Sequence, residues 1–110
     1  MFNFLKNLLG TPDAKEIIKA IQDGAHLVDV RSAGEYAQGS LAGAENIPLE
    51  KIGYQASRLK DKPAVIVFCR TGFRSGEAKK ILEKNGLKNV INGGNWQDLQ
   101  NYIAMQGLQD

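Results

Sequence analysis

The chain has very little cysteine and histidine, since Cys69 and His26 are the single residues of their types among 110. One cysteine excludes a disulfide within the chain, so the fold must be stabilised by an apolar core. A lone histidine with no other ligand at suitable spacing does not form a metal site. We therefore expect no metal, and we interpret His26 as a structural or solvated residue on the far side from any site at Cys69.

The chain also lacks a large charge excess and any long apolar run. Its 14 Lys and Arg residues balance 12 Asp and Glu residues to a formal charge of +2, which does not indicate a nucleic-acid surface. No apolar run approaches the roughly 18 residues that span a membrane, and the opening "MFNFLKNLLG" lacks a signal peptide's basic start and cleavage site. We expect a cytoplasmic protein without membrane or nucleic-acid partners, in which Cys69 stays reduced.

What remains is the composition of an ordinary folded domain, with 43% apolar and 24% charged residues. We interpret residues 1–10 as a short amphipathic segment that docks on the domain or on a partner, and residues 11–110 as one domain. Strand patterns occur at residues 26–30, 44–49, 64–68 and 89–91, and helix patterns alternate with them at residues 11–24, 32–39, 52–59, 77–85 and 95–107. This alternation predicts an α/β fold, with an open, mostly parallel sheet covered by helices on both faces.

Cys69 directly follows the buried-strand pattern "AVIVF" and so lies at the carboxyl edge of the sheet, where α/β folds bind ligands. In the loop "CRTGFRS", Gly72 allows a backbone conformation in which successive N–H groups converge on the sulfur. The helix that follows and the charges of Arg70 and Arg74 add positive potential. These features favour a nucleophilic thiolate. The alternative is a cysteine that is simply packed in the core.

The chain resembles the single-domain rhodanese family, the thiosulfate sulfurtransferases. The resemblance depends on "LVDVRSAGEYAQGSLAGAENIPL", "VIVFCRTGFRS" and "VINGGNWQDL", and it covers residues from about 12 to 106. It implies a rhodanese-like domain with about five parallel strands and a cysteine nucleophile. That cysteine would take a sulfane sulfur from a small anionic donor such as thiosulfate, form a persulfide, and pass the sulfur to cyanide or a thiol. No cofactor is implied.

The resemblance assigns roles to the residues that match the family's motifs. Cys69 is the catalytic residue that forms the persulfide. The substrate-binding residues are those of the loop after it: Arg70, Thr71, Gly72, Phe73 and Arg74. Three residues would support the loop: Asp29, Arg31 and Ser75. For Asp29 and Arg31, a purely structural ion pair remains open as an alternative to substrate contact.

Two positions depart from the usual family pattern. Ser40 stands where the family usually has a histidine, and Trp96 follows Gly93-Gly94 sooner than usual. A thiolate stabilised by N–H dipoles does not need a general base, so we expect the chemistry to tolerate Ser40.

Two other functions are possible. Cysteine phosphatases and arsenate reductases place five residues between Cys and Arg, whereas four separate Cys69 from Arg74, and Ser75 stands at the position of that arginine. A persulfide carrier or regulatory module that receives sulfur from a sulfur-donating protein would use Cys69 in the same way. With no second cysteine, the sulfur must leave to an external acceptor, so we expect an open pocket mouth. Phe73 either lines that mouth or packs down on the helix.

Overall fold

The structure, a computed structural model, describes residues 14–105, so the predicted N-terminal segment at residues 1–10 lies outside the described residues. The strands are β1 His26–Asp29, β2 Glu45–Asn46, β3 Val65–Cys69 and β4 Val90–Asn95. The helices are α1 Ala14–Gln22, α2 Ala33–Ala37, α3 Ala56–Leu59, α4 Phe73–Lys84 and α5 Trp96–Met105, with a 3₁₀ helix at Leu49–Gln55. Strands and helices alternate as the sequence predicts.

The four strands form one parallel sheet in the order β2-β1-β3-β4. The family resemblance implied about five strands, whereas residues 14–105 contain four. These four are the stretches whose own sequence patterns predict strands, and the count of five came from the resemblance alone. β4 is longer than predicted and continues to Asn95 because it contains an irregularity opposite Val67 and Phe68.

Both faces of the sheet are buried, as the apolar run in β3 predicts. Side chains alternate along a strand, so Val65, Val67 and Cys69 contribute to one core with the 3₁₀ helix, α3 and α4. Ile66 and Phe68 contribute to the second core, which α1 and α5 cover. Cys69 therefore points to the face on which α4 packs.

The helix α2 begins as the sequence predicts, with a capping box. The Ser32 hydroxyl accepts a hydrogen bond from the Glu35 N–H at 3.2 Å, and the Glu35 carboxylate accepts one from the Ser32 N–H at 3.1 Å. This fixes the Glu35 side chain at the start of α2, next to the carboxyl edge of the sheet. None of the helices within residues 14–105 has the length and apolar character needed to cross a membrane.

Candidate active site

Cys69 ends β3, and its sulfur lies under the loop that leads into α4. The Gly72 N–H donates to Sγ at 3.0 Å, and the Ser75 N–H lies 3.4 Å from the same atom. Gly72 has a φ of 94°, in the left-handed region that glycine adopts without strain. The structure thus places the loop N–H groups around the sulfur, as the spacing of glycine and cysteine indicated.

These contacts change the ionisation of Cys69. Burial raises the pKa of the thiol, but the nearby Ser75 hydroxyl, which can turn to donate to a thiolate, and hydrogen bonds from the N–H groups of Ser75, Gly72 and Thr71 outweigh it. The net result is a pKa below the ordinary value for cysteine. A thiolate is therefore more accessible here than in a simply packed cysteine.

The sulfur is more enclosed than the sequence led us to expect. Cys69 is 1% exposed, so the open pocket mouth that we expected is not seen. The reason is that the N–H groups that bind the sulfur belong to a loop that must lie directly over it. Phe73, by contrast, is 73% exposed, so its ring does not pack down on the helix.

The two arginines of the loop have different surroundings. Arg74 forms two hydrogen bonds to Glu35, which keep its guanidinium on α2 and raise its pKa further. Arg70 is exposed, and none of the carboxylates within residues 14–105 lies at ion-pair distance from it. Arg70 thus offers an uncompensated positive charge at the rim of the loop.

Asp29 and Arg31 form a buried ion pair, with 2.7 Å between Asp29 Oδ2 and Arg31 Nη2. Arg31 also donates to the Gly39 carbonyl, and the Ser40 hydroxyl donates to Asp29 Oδ2 at 2.7 Å. The Arg31 guanidinium lies over the Trp96 ring, 5.2 Å from its centroid. These contacts hold the turn at residues 39–40 against the sheet, which fits the structural alternative for the pair. Ser40 acts as a donor within this cluster.

A network behind Cys69 was not predicted from the sequence. The Ser75 hydroxyl donates to Asn92 Oδ1 at 2.6 Å, and its oxygen lies 3.4 Å from Cys69 Sγ. The Asn92 amide accepts from the Gly94 N–H at 3.0 Å and donates to the Gly72 carbonyl at 3.2 Å. Asn92 thus connects β4, the loop and α4 around the sulfur.

A second asparagine of β4 holds the other part of the loop. Asn95 Nδ2 donates to the Arg70 carbonyl, while its Oδ1 accepts from the first N–H groups of α5. In a trans peptide the C=O and N–H point in opposite directions, so binding the Arg70 carbonyl outward turns the Thr71 N–H toward the sulfur. The asparagines hold the loop carbonyls, which keeps the N–H groups free for the sulfur.

Both asparagines reach the loop because β4 contains a bulge at Gly93. Val67 pairs with Asn92 and Phe68 pairs with Gly94, which leaves Gly93 without a partner. Asn92 and Asn95 are three positions apart, and in a regular strand such residues face opposite sides of the sheet. The extra residue of the bulge shifts this alternation, so both side chains can reach the loop. A Cβ at position 93 would lie 2.8 Å from Ile66 Cγ2, so the bulge needs glycine. The sequence signal that could have indicated this network is the asparagine on each side of the glycine pair at residues 93–94.

Another titratable cluster lies at the opposite edge of the sheet. His26 begins β1, and its Nε2 lies 2.7 Å from Glu45 Oε1, which also binds Arg58. These contacts are those of a structural residue. The described residues contain no group of three or more His, Cys, Asp or Glu side chains placed to hold a metal ion.

Comparison with known proteins finds matches to one family of domains. The family model described as a rhodanese-like domain matches residues 13–97. The thiosulfate sulfurtransferase PspE of Escherichia coli is 40% identical over 76 residues, which cover 67% of this chain and 73% of PspE. A solved structure of a rhodanese with anions from E. coli is 38% identical with a TM-score of 0.63, and the match covers 68% of this chain and 91% of that one.

Other relatives are longer than the matched region. The Bacillus subtilis protein YqhL is 35% identical over 62% of this chain and 54% of its own length. The B. subtilis protein named "Putative sulfur carrier protein YrkF" is 31% identical over 64% of this chain, which is 38% of its own length. The chain therefore spans about half or less of the length of these two proteins.

Proposed function

Because this chain belongs to the family of rhodanese-like domains, which includes sulfurtransferases, we propose that it transfers a sulfane sulfur from thiosulfate or a similar donor to cyanide or a thiol. The observation that carries the proposal is the set of N–H donors around Cys69 Sγ, which favours a thiolate in a loop shaped for an anionic sulfur. We further propose the cytoplasm as its location.

The reaction divides into two substitutions at sulfur. In the first, the Cys69 thiolate attacks the outer sulfur of thiosulfate, the S–S bond of thiosulfate breaks, and sulfite leaves with the electron pair. In the second, cyanide or a thiolate attacks the outer sulfur of the persulfide, and Cys69 leaves as a thiolate. The N–H groups of Gly72 and Ser75 stabilise the sulfur anion at the beginning and at the end of this cycle.

The charges at the rim support an anionic donor. Arg70 is exposed and has no carboxylate at ion-pair distance among the described residues, whereas Arg74 forms an ion pair with Glu35. We therefore assign the first attraction of the donor to Arg70 and a supporting role to Arg74. The exposed Phe73 ring stands next to them and offers an apolar surface to a thiol acceptor.

A sulfur carrier is the main alternative, because it would form the same persulfide and receive the sulfur from a donating protein. The name of YrkF says that such a role is considered for a relative. Phosphatase or arsenate chemistry is less well supported. At the position of the phosphatase arginine, the Ser75 side chain lies between Cys69 and Asn92, where it offers no positive charge.

Mass spectrometry after treatment with thiosulfate tests the proposal. We expect one added sulfur, about 32 Da, on Cys69 of the intact protein and none on Cys69→Ser. Subsequent addition of cyanide should remove the sulfur as thiocyanate. A protein that takes sulfur from a cysteine desulfurase but not from thiosulfate would be a carrier, and a protein with no adduct from either source would overturn the proposal.

A further inference from the structure

The Ser75 hydroxyl lies between two atoms that can both accept its hydrogen. Its oxygen is 2.6 Å from Asn92 Oδ1 and 3.4 Å from Cys69 Sγ. A hydroxyl has one hydrogen to donate, so it can serve only one of these acceptors at a time. The shorter contact shows that the hydrogen is directed to Asn92 in this structure.

The backbone fixes the orientation of the Asn92 amide. The Gly94 N–H donates to Oδ1 at 3.0 Å, and Nδ2 donates to the Gly72 carbonyl at 3.2 Å. A flipped amide would place two donors against each other and two acceptors against each other. Asn92 therefore presents an oxygen to Ser75, and this oxygen can only accept.

We propose that Asn92 is a positioning residue that competes with the Cys69 thiolate for the Ser75 hydrogen. In the thiol form, the hydroxyl donates to Asn92 and its lone pair accepts the S–H of Cys69. When the thiol loses its proton to solvent, the hydroxyl must turn to the thiolate and give up its bond to Asn92. Asn92 thus keeps the thiol pKa higher than the loop alone would set it.

The same competition favours the persulfide form of Cys69 over the free thiolate. This step of the inference rests on the proposed function. When Sγ attacks the donor, it changes from a charged acceptor to a neutral sulfur bonded to a second sulfur. The Ser75 hydrogen can then return to Asn92, while the negative charge moves to the outer sulfur. Asn92 therefore stabilises the persulfide form relative to the free thiolate.

The thiol pKa of four proteins tests the inference: the unchanged chain, Asn92→Ala, Ser75→Ala and the double variant. The readout is the pH dependence of alkylation of Cys69 by iodoacetamide, at reagent concentrations at which the rate is still proportional to concentration. Asn92→Ala should lower the pKa by about 0.5 to 1 unit because one hydrogen bond becomes free for the thiolate. Ser75→Ala should raise the pKa, and adding Asn92→Ala to it should not lower the pKa, because only the loss of the Asn92 bonds to the backbone then remains.

Asn95→Ala is the matched control, because it removes the other bond from an asparagine to a loop carbonyl without touching Ser75. Its effect on the pKa should be the same in the unchanged chain and in the Ser75→Ala background. If Asn92→Ala also shifts the pKa equally in the two backgrounds, or raises it in the unchanged chain, Asn92 only supports the loop and the inference is wrong.

Asn92→Asp provides a second test if Asn92→Ala does not fold. A carboxylate holds the Ser75 hydrogen more strongly and also repels the thiolate, so it should raise the pKa more when Ser75 is present than in the Ser75→Ala background. Equal shifts in the two backgrounds would overturn the inference. Alkylation reports ionisation whether or not sulfur is transferred, so this outcome is independent of the thiosulfate test.

Discussion

Arg74 and Glu35 form a bidentate ion pair between α4 and α2, with 2.8 Å from Nη1 to Oε1 and 2.9 Å from Nη2 to Oε2. The same carboxylate accepts the Ser32 N–H and so closes the capping box of α2. One acidic side chain therefore caps a helix and neutralises an arginine of the loop that surrounds Cys69. This double role affects both the use of donors and the stability of the fold.

Glu35→Gln should improve the use of anionic donors. The amide can keep the capping box, but it leaves the Arg74 charge uncompensated next to the loop. We expect the KM for thiosulfate to fall by about two- to fivefold. Arg74→Ala should raise KM because it leaves the negative charge of Glu35 near the donor. Steady-state kinetics at low and high salt measure both effects, which salt should reduce. An unchanged KM in both variants would show that this pair does not influence the donor.

The ion pair between Glu35 and Arg74 should also make the stability of the fold depend on pH in the acidic range. Arg74 and the Ser32 N–H hold the pKa of Glu35 well below its usual range. A carboxyl with a lowered folded-state pKa contributes stability above its unfolded value, about 4.3, and loses it as the pH falls toward the folded value. From pH 6 to pH 3, the Tm should therefore fall further in the unchanged protein than in Glu35→Gln, by a margin on the order of 2–5 °C. Parallel curves would contradict this assignment.

Gly72→Ala should destabilise the loop. Position 72 has a φ of 94°, and a Cβ there would meet the Gly94 Cα at 3.5 Å. We expect a loss of about 1–2 kcal/mol in the free energy of unfolding and slower persulfide formation, because the Gly72 N–H would move away from the sulfur. Gly34→Ala in α2 is the control. A Cβ at position 34 meets nothing within 4 Å, so this change should be neutral or slightly stabilising. Urea unfolding distinguishes the two.

Arg31→Met should test the structural role of the buried pair. It removes the partner of Asp29, which is fully buried, and we expect a loss of about 3–5 kcal/mol in urea unfolding. Adding Asp29→Asn should recover part of it, because the uncompensated charge is then removed. Arg58→Gln breaks an exposed ion pair and should cost at most about 1 kcal/mol. A small effect of Arg31→Met would mean that Asp29 is satisfied by Ser40 and the backbone alone.

The sequence predicted the α/β architecture and the position of Cys69 because these depend on local patterns. The apolar run in β3 and the glycine in the following loop are enough to place the sulfur at the carboxyl edge under N–H donors. The pairing of Arg74 with Glu35 joins residues 39 positions apart, and no local pattern indicates it. Sequence alone therefore counted the positive charge of Arg74 without the Glu35 carboxylate that pairs with it.

The asparagine network was missed for a different reason. "VINGGN" reads as a short strand that stops at its glycines, so the sequence predicted a strand only to Ile91. In the structure the glycine pair allows the strand to bulge and continue, which brings Asn92 and Asn95 to the loop. The close contact between Gly93 and Ile66 that requires this bulge is tertiary, and sequence spacing does not reveal it.

The enclosure of Cys69 has a consequence for kinetics. Because Cys69 is only 1% exposed, we expect a reagent to reach its sulfur only after the loop moves aside, however reactive the thiolate is. Opening of the loop and reaction at the sulfur are then consecutive steps. The rate of opening is therefore the upper limit of the modification rate. At high concentration, the modification rate should become independent of the reagent, with the same plateau for a slow alkylating agent and a fast disulfide. That plateau is the frequency at which the closed site opens.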